Sequence, residues 1–95
     1  MAIKDLTIAQ LRTIVAIEDN GGVAPAGKAL NITQTAVTLR VKEVNSALDI
    51  ELYTRWGRKN VLTDEGKYVL QVAREIVDLH DHMINSFKTK QGKGE

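Results

Sequence analysis

The sequence predicts a mainly α-helical domain carrying one small β-hairpin, and three observations lead there. Apolar residues recur at helical spacing in several segments. Threonines placed to cap a helix start stand at Thr7, Thr33 and Thr63. Two short β-prone runs, Leu52-Tyr53-Thr54 and Asn60-Val61-Leu62, flank a glycine-containing stretch. At 95 residues, 43% apolar and 26% charged, the chain has one domain's worth of core material and excludes a large multi-domain enzyme.

Thr7-Ile8-Ala9-Gln10 has the form of a capping box, so a first helix is expected over 7–19, ended by Asn20-Gly21-Gly22. Pro25 fits the first turn of a short second helix over 23–30, where its missing N–H has no intrahelical partner to lose. After Asn31-Ile32, Thr33 caps a third helix running to Leu48. Val37, Val41, Val44 and Leu48 fall within about 60° of one another on that helix and form its core face. Gln34, Thr35, Thr38, Lys42 and Asn45 share a neighbouring arc about 100° wide that holds no acid. The hairpin follows, with a cationic tip over 55–59. A last helix is expected over 63–88, its apolar residues repeating at sevens in a stripe wider than one short domain needs. The glycine- and lysine-rich tail, 89–95, is expected to be disordered.

Helix, tight turn, helix, hairpin and long helix make a winged helix-turn-helix: three helices and a small β-hairpin wing over residues 1–62, followed by a long dimerisation helix over 63–88. Charge is distributed to match. The net charge is only +1, yet residues 28–60 hold six basic against three acidic side chains, and residues 61–87 two against five. A footprint for phosphate therefore lies in the middle third.

The chain resembles the N-terminal DNA-binding domain of the LysR-type transcriptional regulators over residues 6 to 87. The residues that carry the likeness are Gly21, Ala26, Leu30, Thr33-Gln34-Thr35-Ala36-Val37-Thr38, Leu48, Leu52-Tyr53, Arg55, Arg58, Leu62-Thr63 and Gly66. The resemblance implies a bacterial regulator that dimerises through the helix following the wing. It also leaves departures. Gly22 and Gly27 replace a serine and an alanine, which weakens the second helix, since an internal glycine costs about 1 kcal/mol against alanine. Tyr53 replaces a phenylalanine, and Asp49 the glycine that ends the third helix. Leu39 stands where many members have a basic residue.

The expected partner is double-stranded DNA with an interrupted palindrome, bound by a homodimer. Gln34 suits bidentate bonds to adenine, Thr35 and Thr38 suit phosphate or a thymine methyl, and Lys42 suits phosphate. Thr33 shares its hydroxyl with capping. Arg55 is split between packing and phosphate, Arg58 and Lys59 are tip contacts, and Lys28 reaches backbone from the second helix. Trp56 either covers the wing or packs on a sugar. Arg40 lies outside the polar arc. Dimerisation is assigned to Val69, Leu70, Ala73, Ile76, Val77, Met83, Ile84 and Phe87. The rival reading is a protein-interaction module in which the polar arc is idle.

No cofactor, metal or catalytic role is expected. His80 and His82 diverge by about 200° on a helix and cannot share an ion. There is no glycine-rich phosphate loop, serine elbow or convincing acid pair. The absence of cysteine and of any long apolar run fits a soluble, cytoplasmic, nucleoid-associated protein without membrane contact. Family members usually continue into an effector-binding domain, so an effector ligand is expected only if such a domain follows. The chain is then either an excised DNA-binding fragment or a regulator without its own sensor.

Overall fold

The computed structural model describes residues 5–93, with side chains described through residue 88. The elements are α1 (Ile8–Asn20), α2 (Val23–Leu30), α3 (Gln34–Leu48), β1 (Tyr53–Trp56), β2 (Lys59–Leu62) and α4 (Asp64–Lys93). This is the expected winged helix-turn-helix with a long trailing helix. Among the described residues, no helix is long and apolar enough to cross a membrane.

Local chemistry accounts for most element ends. The Thr7 amide donates to Gln10 Oε1 at 2.8 Å and the Gln10 amide to Thr7 Oγ1 at 3.1 Å, which completes the capping box. Gly21, at φ 82°, closes α1 by donating to the Ile17 carbonyl. Gly22 caps α2 without a side-chain bond, yet α2 forms in full. Gly27 contributes to this: it is buried, and a Cβ there would stand 2.9 Å from the Ile32 carbonyl oxygen. The glycine thus trades helix propensity for a close α2–α3 turn, in which the Ile32 amide donates to the Gly27 carbonyl at 2.9 Å. Asp49 takes a left-handed conformation at φ 55° and ends α3 as a glycine would.

α1 lies at the centre. On one side Ala16 and Ile17 pack with Ala26 of α2 and Val37 of α3. Beneath them Ile14 meets Val44 of α3 and Leu52, with Val69 and Leu70 of α4 packed against that group. On the far side Leu11 packs with Ala73 and Val77 of α4. Val37 and Val44 are fully buried as the core face of α3, whereas Leu48 lies at its exposed end.

Two expectations about α4 are corrected by this packing. Ala73 and Val77, assigned to a dimer face, are only 1% and 6% exposed because α1 covers them. Val69 and Leu70 are likewise turned toward the chain's own core, so the start of α4 belongs to the same core as residues before 62. The tail differs too. α4 runs on through Lys93, because Lys90 and Gln91 are good helix formers and no proline intervenes to stop propagation. Residues 94 and 95 of the expected disordered tail lie outside the described residues.

Ion pairs bind α4 to α1. Arg12 donates to both carboxylate oxygens of Asp81 at 2.9 and 2.8 Å, and Arg74 meets Asp19 at 2.8 Å. The Arg12 hydrogen bonds, helped by one from His80, hold the Asp81 carboxyl well below the usual carboxylate range. Tyr53 adds a tie of its own. Its hydroxyl, which a phenylalanine would lack, donates to Glu18 at 3.0 Å. Burial, then the neighbouring Glu18 charge, pushes the phenol above its ordinary value.

Candidate nucleic-acid interface

α3 begins where Thr33 Oγ1 accepts from the Ala36 amide at 3.0 Å. Capping takes an acceptor position on that oxygen and leaves the O–H hydrogen to donate elsewhere. Burying Val37 and Val44 turns the opposite side of α3 outward, and Thr33, Gln34, Thr35, Thr38 and Lys42 are all exposed there. Asn45, the remaining member of the polar arc, has an internal role: its Oδ1 accepts from the Leu52 amide at 2.9 Å and so anchors the hairpin to α3. Arg40 donates to Thr13 Oγ1 at 3.2 Å and is held against α1, consistent with its place outside the arc.

The wing is a two-stranded antiparallel hairpin in which Tyr53 pairs with Leu62 and Trp56 with Lys59. Its turn places Gly57 at φ 63°, a conformation open to glycine at the first position of a two-residue hairpin turn. Thr63 fastens the base. Its hydroxyl donates to the Glu51 carbonyl at 2.6 Å and accepts from the Gly66 amide at 2.9 Å, joining the wing to the start of α4. Arg55, Arg58 and Lys59 are exposed along the hairpin. Trp56 is 77% exposed and so covers nothing.

An open cleft lies between α3 and the wing, lined in part by Thr38, Lys42, Asn45, Tyr53, Lys59 and Asn60. The fold thus joins part of the α3 arc and part of the wing on one surface. Lys28 stands apart, exposed on the last turn of α2. Among the described residues, Lys28, Lys42, Arg55, Arg58 and Lys59 form no ion pair. Five unpaired cations around an exposed helix of hydrogen-bonding side chains suit a polyanion that also presents donors and acceptors. Leu39, noted in the sequence only as standing where many members have a basic residue, is exposed beside that arc and was not assigned a contact.

A second surface runs along α4. Ile76, Leu79, Met83, Ile84 and Phe87 are exposed, so four of the eight residues assigned to dimerisation remain outside the chain's own core face. Leu79 joins them. The nearby His80 has its Nδ1 3.0 Å from an Asp81 carboxylate oxygen.

Fold and surface together define a winged helix-turn-helix of the kind that presents its third helix to a nucleic acid. Residues 8–67 match the family model described as "Bacterial regulatory helix-turn-helix protein, lysR family", and the chain belongs to that family. It is 35% identical to a probable RuBisCO transcriptional regulator of Guillardia theta, across 90% of this chain and 29% of the relative. The chain therefore spans under a third of the length of that curated relative. Among solved structures it resembles the oxidised form of OxyR from Corynebacterium glutamicum with a TM-score of 0.83 and 28% identity, covering 94% of this chain and 27% of that one. It also resembles the BenM DNA-binding domain in complex with catB site 1 DNA, with a TM-score of 0.79 and 25% identity, covering 90% of this chain and 96% of that one. The curated relatives are named as transcriptional regulators.

Proposed function

We propose that this chain is the DNA-binding part of a LysR-type regulator and acts as a homodimer on an interrupted palindrome. The observation that carries the reading is the exposed α3 arc bordered by unpaired cations of the wing and α2. α3 enters the major groove. Gln34 bonds an adenine edge, Thr35 and Thr38 meet phosphate or a thymine methyl, and Lys42 holds phosphate. Thr33 and Lys28 add backbone contacts from the edges of the helix-turn-helix. Arg55, Arg58 and Lys59 bring the wing against flanking backbone or minor groove, with Trp56 against sugar.

Dimerisation uses the far part of α4. Ile76, Leu79, Met83, Ile84 and Phe87 form an apolar surface that two antiparallel copies bury together. Two α3 helices then meet successive major grooves about one helical turn, roughly 34 Å, or a multiple of it apart. Such a regulator works in the cytoplasm at the nucleoid, and an effector ligand belongs to any further domain rather than to this one.

A gel shift with random duplex across a salt series tests the first claim. Binding at low salt that weakens linearly on a log–log plot supports it. Failure to bind any duplex at low salt favours the protein-interaction reading. Sedimentation tests the second: Met83→Asp is expected to leave a folded monomer where the parent chain is a dimer. A monomeric parent at tens of micromolar would remove the paired geometry.

A further inference from the structure

Leu39 is the apolar member of the outward side of α3. It is 54% exposed, while Val37 and Val44 hold the core on the other side of the helix. It lies about 40° round the helix from Thr35 and one turn beyond it, with Lys42 on the same side. A single exposed leucine is ordinary on a protein surface. This one, however, borders the surface where the other side chains are hydrogen-bonding or cationic and open to a ligand.

Leu39 stands in the second turn of α3, the depth at which a helix in the major groove meets base edges. Those edges are donors and acceptors with one apolar exception, the C5 methyl group of thymine. Leucine offers no donor to guanine and no acceptor to cytosine. We infer that Leu39 packs on a thymine methyl and sets one position of sequence preference in each half-site. The inference rests on the proposed placement of α3 in the major groove. Gln34 then reads a polar edge beside a position chosen for its methyl group alone.

The test removes that methyl and nothing else. Duplexes selected by the parent chain from a random pool are remade with single thymines replaced by deoxyuridine, which keeps every base-pair hydrogen bond. At one position per half-site the parent chain is expected to bind about fourfold more weakly, the worth of one methyl-sized group buried. Leu39→Ala, checked for folding by circular dichroism, is expected to bind the thymine and uracil duplexes there alike. Two results overturn the inference while leaving DNA binding intact: a parent chain indifferent to every uracil, or an equal loss in Leu39→Ala. Failure to bind any duplex at low salt overturns the DNA reading and this inference with it.

Discussion

Arginine serves two purposes in this molecule, and the α1–α4 seam and the α3–wing surface keep them apart. At the seam, Arg12 and Arg74 each meet an aspartate at 2.8 Å. Around α3 and the wing, Lys42, Arg55, Arg58 and Lys59 meet no acid among the described residues. Paired charges join two helices of one chain. Unpaired ones border an open surface and are available to an anion from outside. Partnership, rather than residue type, separates the seam cations from those proposed to bind DNA.

The most forceful challenge to this contrast is to remove two unpaired cations together. Lys42→Ala with Arg58→Ala is expected to weaken binding to every duplex by one to two orders of magnitude and to lower the log–log salt slope by about 2, with little change in stability. A large fall in stability with an unchanged slope would instead place these residues on the structural side.

Arg40 gives a sharper test, because it lies on α3 itself yet bonds Thr13 at 3.2 Å. Arg40→Ala is expected to lower stability by about 1 kcal/mol in urea denaturation, the scale of one hydrogen bond. Its salt slope should stay that of the parent chain. A slope reduced by about 1 would transfer Arg40 to the DNA-contacting set.

The smallest effect is at the seam. Arg12, followed by His80, depresses the Asp81 carboxyl in the folded chain below its ordinary value of 3.8. The stabilisation is therefore complete above that value and fades as pH falls through and beneath it, until Asp81 protonates in the folded chain as well. Denaturation of the parent chain and of Asp81→Asn should show a small gap, constant above about pH 5 and closing in stronger acid. A gap that grows in acid would reverse the assignment.

Some of this was legible from residue order and some was not. The capping box at Thr7 and Gln10, the Thr33 start of α3 and the hairpin over 53–62 are local devices, and neighbouring residues suffice to read them. The polar arc was legible as well, because helical periodicity alone places Gln34, Thr35, Thr38 and Lys42 on one side. Periodicity does not say what covers an apolar stripe. Val77 and Met83 belong to the same repeating pattern, yet α1 covers Val77 and leaves Met83 exposed. That difference depends on where α1 crosses α4, a contact between residues far apart in the chain. Asn45 and Arg40 were opaque for the same reason: their partners, Leu52 and Thr13, are set by tertiary packing.

The bonds at the base of the hairpin reach further than the hairpin. Asn45 ties its first strand to α3, and Thr63 ties its second to α4. In the proposed docking, the helix and the tip therefore meet a duplex at two points whose separation the protein sets. DNA must bring groove and flank to that separation, so underwinding or overwinding between them alters affinity even at base pairs no side chain reaches.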